Sequence, residues 1–498
     1  MRHLNRRRFL CNAALGVSAM AGSGAFCAVT KPVLAGVQIS PHSLLDEGVE
    51  RCLDFLQEHA AINALFCYSQ TYHMGTRPLN VLASDHPTPP RKLDGRNLPH
   101  QWVRLPGAEF KGLAVGHERA DPGREYAARD IFAELAEPCR RRGIRLYARI
   151  LEAGMRRAAR IPGYSRVGTV DLDGEPGQGP CWNHPEYREW VRITVRQTMM
   201  RYPLDGLQYG AERVGPLSDV LFRGEKPECF CEHCRDRNGK AGIDADRAQE
   251  GYRQLHRLMR GLAEGGAKPA DGVFAAVLRV LMKYPEVLAW YEQWFRADSE
   301  IQAMVYREAK ALRPEADVGQ HVDHQRSSWD IFYRASVSYA DMAAHNDFVK
   351  PILYHDILGP RLREWVIDRM QRRVLGDLSK ELSLDLFYAV FGHDRATQPS
   401  YAVLPKRGLS PEYVFRETRR CVAGVAGGAR VYAGIGFDVP QYVPSGMEPF
   451  PSDPATTALA TRRALEAGAA GVVASREYDE MSLPNLKAFG RAVSAGQR

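Results

Sequence analysis

The segment Arg-Arg-Arg-Gly-Ile-Arg-Leu-Tyr-Ala-Arg-Ile at 140–150 contains the pattern that decides the fold. Apolar residues at helical spacing fill 126–143, and a basic last turn followed by Gly143 is a typical helix end. A β-rich stretch follows at 144–150, and the same order recurs with a helix at 185–202 and a strand at 204–210. Helix followed at once by strand, twice in succession, is typical of a parallel sheet with crossover helices.

The same alternation extends over most of the chain. The stretches predicted as strands are 33–39, 62–68, 144–150, 204–210, 317–322, 349–354, 430–437 and 471–474. About eight strand–helix units predict a closed (β/α)8 barrel, the TIM-barrel fold. Residues 384–391 are compatible with a ninth strand, but we assign them to a helical excursion before the seventh strand.

Two long stretches interrupt the alternation. Residues 74–123 are rich in proline, glycine and histidine, and residues 213–285 separate the fourth strand from the helix that precedes the fifth. A long excursion inside a compact domain is usually a functional loop or an insertion. We therefore expect one barrel domain over 33–498 with insertions at about 74–123 and 213–285.

Composition excludes several classes of protein. The chain has 498 residues, of which 45% are hydrophobic and 25% charged, as in ordinary globular proteins. Arginines at 2, 6, 7 and 8 supply half of the net charge of +8, so the rest has no basic footprint for nucleic acid. No later apolar stretch reaches the roughly 18 residues that span a bilayer, so no stable membrane anchor is expected.

Residues 1–32 are expected to be an export signal. Asn5-Arg-Arg-Arg-Phe-Leu10 precedes a weakly apolar stretch and resembles the twin-arginine signal, with Asn5 and Cys11 in place of its Ser/Thr and Lys. The resemblance implies recognition by the twin-arginine export machinery and a periplasmic or secreted protein. Cleavage near Cys27 or after Ala35 is compatible with the sequence, and a basic first helix of the domain is the alternative.

Polar and aromatic side chains follow nearly every predicted strand. The reactive groups of such barrels lie at the carboxyl ends of the strands and in the loops beyond them. Aromatic rings there can stack on sugars, and histidine and charged groups can bind hydroxyls. Each aromatic ring alone is equally compatible with packing. The candidate substrate-binding residues are Tyr68, Arg149, Trp182, Asn183, His184, Tyr209, His321, Asp323, His324, Tyr354, Asp356, Arg476 and Glu477.

Two carboxylates are the candidate catalytic residues. Glu212 follows the fourth strand and Asp438 the seventh, so they face each other across the predicted barrel mouth. Cleavage of a glycosidic bond needs one carboxylic acid to protonate the leaving oxygen and a second carboxylate to attack or to activate water. An ion pair with Arg213 is the structural alternative for Glu212, and a turn cap is the alternative for Asp438. Asp323 and Asp356 are rival partners for Glu212.

Several segments resemble the glycoside-hydrolase-like TIM barrels, including the hypothetical glycosyl hydrolases and, more distantly, the family 42 β-galactosidases. The segments are Asp205-Gly206, Cys181-Trp-Asn-His-Pro-Glu-Tyr-Arg188, Cys229-Phe-Cys-Glu-His-Cys-Arg235 and Ser475-Arg-Glu-Tyr-Asp-Glu-Met481. The resemblance covers 33–493 and implies a carbohydrate substrate, an acid/base after strand four and a nucleophile after strand seven. Glu212 and Asp438 match those places, although Ala211 replaces the usual asparagine and Asp438 the usual glutamate.

A cysteine cluster lies in the loop after strand four. Cys229, Cys231 and Cys234 are close enough in sequence to bind one soft metal ion, and zinc needs a fourth ligand, for which Cys181 and His233 are candidates. A reduced or disulfide-linked turn is the alternative. A similar cluster binds structural zinc in the family 42 enzymes, so the resemblance implies the same here. We expect no metal in catalysis, because thiolate-rich sites are usually closed.

Three function classes remain open from the sequence. The leading hypothesis is a secreted glycoside hydrolase that cleaves an oligo- or polysaccharide by two-carboxylate chemistry. The second is a non-catalytic carbohydrate-binding protein on a hydrolase scaffold. The third is a metal-dependent sugar isomerase or epimerase, which would use a divalent metal held by histidines such as His321 or His355. Fold alone does not separate these classes.

Overall fold

A computed structural model describes residues 33–70, 101–119, 123, 126, 129–152, 160–323, 325–443 and 446–496. The predicted export signal, much of the 74–123 insertion and His324 lie outside these residues. In the described part of the chain, no helix is both long and apolar enough to cross a membrane.

Eight parallel strands close into a barrel. They are β1 (Leu34–Ile39), β2 (Ala64–Tyr68), β3 (Arg145–Leu151), β4 (Gly206–Gly210), β5 (Asp317–Val322), β6 (Phe348–Leu353), β7 (Arg430–Gly436) and β8 (Gly471–Ser475). Each strand pairs with its neighbours in chain order, and β8 closes the barrel by pairing with β1. The predicted (β/α)8 fold is confirmed, and each predicted strand lies within a few residues of the observed one.

Helices connect the strands around the outside of the barrel. The α-helices are Pro41–Glu47, Val49–Ala60, Ile131–Arg142, Pro185–Arg201, Pro216–Ser218, Glu232–Lys240, Ala245–Ala263, Val273–Lys283, Glu286–Leu312, Ile331–Ser336, Tyr339–Ala343, His355–Arg361, Asp368–Gln371, Lys380–Phe391, Pro411–Val425, Pro454–Glu466 and Leu483–Gly496. Short 3-10 helices lie at Gly107–Phe110, Tyr164–Val167 and Tyr478–Glu480, and π-helical turns at Asp219–Arg223, Gln325–Trp329 and Leu362–Ile367. Two small hairpins pair Gly168–Val170 with Pro176–Pro180, and Gln441–Val443 with Gly446–Glu448.

Local sequence explains where these helices begin and end. The Asp130 side chain accepts a hydrogen bond from the Ala133 N–H and caps Ile131–Arg142, which ends at Gly143 with φ 64°. Residues 384–391 belong to the helix Lys380–Phe391, with Ser379 as its cap, so the predicted helical excursion is confirmed. Between β4 and β5 lie four long helices, three of them within 213–285.

Strand residues alternate between the barrel axis and the surrounding helices. At the amino-terminal end of the barrel, the inward residues Phe66, Tyr147, Phe348 and Tyr432 stack into an aromatic layer. Asp317, at the start of β5, accepts hydrogen bonds from the hydroxyls of Tyr147 and Tyr432, both at 2.8 Å. This layer closes the bottom of the barrel, and the inward residues become polar towards the carboxyl ends of the strands.

Candidate active site

A hydrogen-bonded polar layer crosses the barrel axis above the aromatic layer. The amide oxygen of Gln38 accepts from the Lys350 amine at 3.1 Å and from the Ser475 hydroxyl at 2.6 Å. The amide oxygen of Gln208 accepts from the Arg149 Nε at 3.0 Å and from the Gln38 Nε2 at 3.4 Å. All five residues are at most 3% exposed. Inward positions of β1, β3, β4, β6 and β8 therefore place two basic side chains inside the barrel.

Glycines on β7 make room for this layer and for the tyrosine above it. A Cβ atom at Gly434 would lie 2.8 Å from the Lys350 Nζ, and one at Gly436 would lie 2.3 Å from the Tyr354 ring. Both distances are shorter than real Cβ contacts, so a larger residue on β7 would displace a site residue.

Glu212 lies at the mouth of the barrel, one inward position beyond β4. Its carboxylate oxygen Oε1 is 3.1 Å from the His321 Nε2, and the glutamate side chain is 43% exposed. Burial, with the charges of Lys350 and Arg149, lowers the pKa of His321 to about 3. A neutral imidazole beside a carboxylate carries its proton on Nε2, so His321 donates to Glu212 and orients it.

Asp323 is the next inward residue after His321 and lies near Glu212. Burial raises its pKa to about 7, with Arg326 opposing the shift and the charge of Glu212 adding to it. The Asp323 Oδ1 accepts from the backbone N–H groups of Gln325 and Arg326, which fixes the side chain. The Oδ2 has no hydrogen-bond partner among the described residues and is 3.8 Å from the Arg326 Nε. Two nearby carboxyl groups thus differ in burial, since Asp323 is 2% exposed and the Glu212 side chain 43% exposed.

Two tyrosines complete the mouth. Arg149 lies over the Tyr68 ring at 4.3 Å, and Lys350 lies 5.9 Å from the Tyr354 ring centre. The pKa of Tyr68 is raised first by burial, against the effect of Arg149, and then by the charges of Glu477 and Glu212. Tyr68 is therefore within electrostatic range of the acidic groups that follow both β4 and β8.

The loop after β8 adds a buried ion pair. The Arg476 guanidinium contacts the Glu480 carboxylate at 2.7 Å, and Glu477 is 1% exposed. The predicted Arg476, Glu477, Tyr68, Arg149, Tyr354, His321 and Asp323 are thus brought to the same end of the barrel as Glu212. Asp356 is also there and contacts the His355 Nε2 at 3.0 Å. The pKa of Asp356 is lowered despite burial, because His355 and Ser452 stabilise its charge.

Asp438 does not have the environment expected of the second catalytic carboxylate. Its two oxygens accept hydrogen bonds from the Ser452 N–H, the Ser482 N–H and hydroxyl, and the Asn485 amide, at 2.8–3.1 Å. Its φ of 54° turns the chain out of β7. Both carboxylate oxygens are hydrogen-bonded by the loops that follow β7 and β8, so the side chain joins those loops, and a catalytic role for Asp438 stays a prediction.

Three predicted sugar ligands make contacts within the protein. The Trp182 ring is 3% exposed, packs on Trp294 with ring centres 4.3 Å apart and lies under the Arg213 guanidinium at 4.5 Å. Asn183 donates to the Cys234 sulfur at 3.3 Å, and the His184 Nδ1 accepts from the Glu186 N–H at the start of helix Pro185–Arg201. Asn183 therefore lies beside the cysteine cluster, whereas the Trp182 ring is buried between Trp294 and the residue that follows Glu212.

Tyr209, which was also predicted to bind the sugar, points away from the barrel axis. It occupies an outward position of β4 and lines a small internal cavity with Glu152, Tyr164 and Tyr187. It is 2% exposed. Successive side chains of a strand point to opposite faces, so Tyr209 faces the surrounding helices while its neighbour Gln208 faces the barrel axis. Tyr209 therefore lies outside the mouth.

The four cysteines of the predicted metal site converge. The sulfur atoms of Cys181, Cys229, Cys231 and Cys234 lie within 4.8 Å of one another, and Cys181 is 3.4 Å from Cys231 and 3.5 Å from Cys234. Sulfurs on a tetrahedral zinc ion, with Zn–S of about 2.3 Å, lie roughly 3.8 Å apart, so the four fit zinc. A disulfide would need about 2.05 Å, and all four thiols are free. The Val170 N–H donates to the Cys229 sulfur at 3.3 Å, as around bound thiolates.

Lys350 and an aromatic patch were not among the predicted site residues. The sequence does contain a signal for Lys350. It lies two residues after Phe348 in a strand predicted to be buried, and residues two apart in a strand point to the same side, here the barrel interior. The patch comprises Trp365 and Tyr442, whose ring centres are 5.8 Å apart, with Arg361 over the Trp365 ring at 4.9 Å. Its residues come from different loops, so no local spacing marks them in the sequence.

The fold defines a class, the (β/α)8 barrels, and the strands of this barrel carry acidic, basic and aromatic groups at their carboxyl ends. The β-galactosidase of the Antarctic haloarchaeon Halorubrum lacusprofundi is similar with TM-score 0.51 and 12% identity, over 93% of this chain and 58% of that one. At this identity the similarity shows the fold alone.

Two further solved structures match with lower TM-scores. The α-L-fucosidase isoenzyme 2 of Paenibacillus thiaminolyticus has TM-score 0.46 and 10% identity, over 93% of this chain and 49% of that chain. The glycoside hydrolase domain of PgaB (BpsB) from Bordetella bronchiseptica has TM-score 0.46 and 11% identity, over 94% of this chain and 98% of that one. This chain thus spans about half of the fucosidase and 58% of the β-galactosidase. No protein-family model and no curated protein sequence matches the chain.

Proposed function

We propose that the protein is a glycoside hydrolase in which Asp323 and Glu212 share the chemistry. One observation carries the proposal: two neighbouring carboxyl groups at the barrel mouth lie in environments that favour opposite protonation states. Asp323 is buried with a pKa of about 7, whereas Glu212 is partly exposed and accepts a hydrogen bond from a neutral His321. Pairs of carboxyl groups divided in this way are the usual acid and base of glycosidases.

The proposed reaction can take two courses after a common first step. Asp323 gives its proton to the glycosidic oxygen as the bond from that oxygen to the anomeric carbon breaks. In one course Glu212 takes a proton from the water that attacks the anomeric carbon; in the other Glu212 first bonds to that carbon, and water then breaks this bond while the Asp323 carboxylate takes the proton of the water. Water supplies the hydroxyl of the released sugar, and His321 holds Glu212 in place through Nε2.

The function is tested with aryl glycosides that release 4-nitrophenol. The full chain is assayed against a panel of sugars and anomers, and Glu212→Gln is compared with Asp438→Asn on whichever substrate is cleaved. Glu212→Gln keeps the size of the side chain and is expected to lower kcat by at least about 100-fold. Asp438→Asn is expected to lower the melting temperature with a smaller effect on kcat. Retained turnover in Glu212→Gln would remove Glu212 from the mechanism.

A carbohydrate-binding protein without catalysis is the second candidate. The observation that favours it is the saturated Asp438, because the related hydrolases carry their nucleophile at that strand end. Sugar binding by the wild-type chain, with no turnover of any glycoside of that sugar, would select this function over hydrolysis.

We further propose that Cys181, Cys229, Cys231 and Cys234 hold a zinc ion with a structural role. Four thiolates fill the coordination sphere of zinc, so the bound ion would offer no open position to substrate. The hairpin before Cys181 would be joined by the ion to the loop after β4. Metal analysis of the purified chain is expected to give one zinc per chain, and Cys231→Ser to lower it; a metal-free, fully folded chain would contradict the proposal.

Export is the remaining part of the proposed function. The Arg6-Arg7 pair supports recognition by the twin-arginine machinery, which transports folded proteins and would carry a chain already loaded with metal. Replacing both arginines by lysine is expected to retain the protein in the cytoplasm, as measured by cell fractionation. Unchanged export of that double variant would contradict this route.

A further inference from the structure

The polar layer below Glu212 offers more hydrogen-bond donors than acceptors. Its acceptors are the amide oxygens of Gln38 and Gln208, each of which already accepts two hydrogen bonds, and the hydroxyl oxygen of Ser475. The Arg149 Nη1 and the Gln208 Nε2 have no hydrogen-bond partner among the described residues. The Lys350 ammonium has three N–H bonds, of which one is used on Gln38. Buried polar groups in proteins are normally paired, so this excess calls for an acceptor.

The same layer also carries more positive than negative charge. Arg149 is 3% exposed and Lys350 is fully buried, and each lies within electrostatic range of the other and of Glu212. Burial, followed by the charge of Arg149, holds the pKa of Lys350 well below its usual range, and Glu212 opposes that shift only in part. The lowered pKa favours the neutral amine of Lys350 as long as no further anion is bound beside it. A second anion next to Arg149 and Lys350 would favour the ammonium form, so an acidic ligand group would bind here together with a proton on Lys350.

The rings of Tyr68 and Tyr354 place this charge beside the sugar-binding mouth. Arg149 lies on the Tyr68 ring, and Lys350 lies near the Tyr354 ring. Both tyrosines are also within electrostatic range of Glu212. A ligand group that reached the two cations would therefore belong to the same sugar that Glu212 contacts, or to its immediate neighbour.

We propose that the sugar bound next to Glu212 is a uronic acid, whose carboxylate is received by Arg149 and Lys350. The proposal rests on the proposed glycosidase function and names its substrate class. A planar carboxylate can accept two parallel N–H bonds from a guanidinium, and the lysine amine adds a point charge. The acid group would supply acceptors to the unpaired N–H groups together with a negative charge that favours protonated Lys350, whereas a neutral sugar hydroxymethyl group would supply no charge.

Binding of matched acids and esters tests the proposal without requiring turnover. D-Glucuronate and D-galacturonate are compared with their methyl esters on the full wild-type chain by calorimetry and thermal shift. The ester keeps the sugar ring and removes the negative charge, and it adds one methyl group. We expect at least one acid to bind ten times or more tighter than its ester, the factor that one charge-assisted contact supplies. Equal binding of acid and ester, or binding of neutral sugars only, would overturn the proposal.

A pair of lysine variants locates the charge. Lys350→Met replaces the amine by an apolar chain of similar length and is expected to remove most of the preference for acid over ester. Lys487→Met, at an exposed lysine on the helix Leu483–Gly496, is the control and is expected to retain it. Unchanged preference in Lys350→Met, with the fold intact by circular dichroism, would contradict the assigned site. The acid–ester comparison on the wild-type chain remains decisive if Lys350→Met does not fold.

The two proposals fail in different ways. Glu212→Gln is expected to bind the uronic acid while losing turnover, so binding and chemistry are read separately. Turnover of neutral glycosides with no preference for uronides would leave the hydrolase standing and reject the uronic acid. Preference for the acid with no turnover of any aryl uronide would instead reject the hydrolase and retain the ligand.

Discussion

The two ends of the barrel interior differ in how fully their buried polar and charged side chains are hydrogen-bonded. At the bottom, Asp317 is surrounded by donors: the hydroxyls of Tyr147 and Tyr432 at 2.8 Å, and the guanidinium groups of Arg430 at 2.6 Å and Arg145 at 3.4 Å. At the top, Arg149 and Lys350 have fewer acceptors than donors. The inward strand positions at the bottom thus carry a carboxylate with a full set of donors, and those at the top carry N–H groups that have no partner among the described residues. Buried groups left short of partners are a mark of function.

The largest expected effect is on the chemistry at the top. Asp323→Asn removes the transferable proton but keeps the side chain's size and its turn-capping oxygen. We expect kcat/KM for a glycoside with a poor leaving group to fall by roughly 10²–10⁴, the contribution of a positioned general acid. Steady-state kinetics measures it, with the melting temperature as control. A fall below about threefold would assign the acid role elsewhere.

The bottom of the barrel should respond in stability instead. Asp317→Asn leaves tyrosine hydroxyls and arginine N–H groups without the charged acceptor, and we expect it to lower the free energy of unfolding by about 2 kcal/mol. Chemical denaturation measures the loss. Activity per folded molecule should not change, because Asp317 lies in the layer that closes the far end. If Asp317→Asn lost activity while its free energy of unfolding stayed unchanged, Asp317 would not have the purely structural role that distinguishes the bottom of the barrel from the top.

The pH dependence separates the ends further. Asp323 has a folded pKa of about 7, above the roughly 3.9 of an unfolded aspartate, so the folded state holds the extra proton between these values. Its contribution to stability therefore falls as pH rises from about 4 to 7. Because the protonated form acts as the acid, kcat/KM should also fall above pH 7. Profiles of wild type and Asp323→Asn check both effects, and an unchanged alkaline limb in the variant would contradict the assignment.

The smallest expected effect is a gain in stability. Lys350→Met removes an amine whose burial lowers its pKa, and Gln38 keeps its hydrogen bond from Ser475. We expect the variant to be about 1 kcal/mol more stable than the wild type, as when buried charged groups are replaced by apolar ones. Denaturant melts measure the change. A clear loss of stability would mean that Lys350 is structural, like Asp317.

The sequence predicts the barrel well because its evidence is periodic and local. Helix ends such as Gly143 and the run of strands and helices require no knowledge of distant contacts. The cysteine cluster was also predictable, since three of its members lie within six residues. Its fourth member, Cys181, is brought in by the hairpin Gly168–Val170 with Pro176–Pro180. That is a tertiary effect, so the sequence left Cys181 as one of several candidate fourth ligands.

The site was predicted less completely for the same reason. A residue at a strand end is visible in the sequence, but its partners are not. In the sequence, Asp438 and Glu212 are both acidic residues that follow a strand. Only the structure shows that the Asp438 carboxylate already accepts hydrogen bonds from Ser482 and Asn485. Strand parity explains the rest: Gln208 faces the axis and Tyr209 faces the helices, although they are adjacent in sequence.

The most direct measurement of the central claim is the leaving-group dependence of Asp323→Asn. Wild type and variant are compared on a 2,4-dinitrophenyl glycoside, whose leaving group needs no proton, and on the phenyl glycoside of the same sugar, which does. We expect the variant to approach wild-type rates on the first and to lose at least about 100-fold on the second. Equal losses on both substrates would show that Asp323 is not the acid and would contradict the assignment of the barrel mouth.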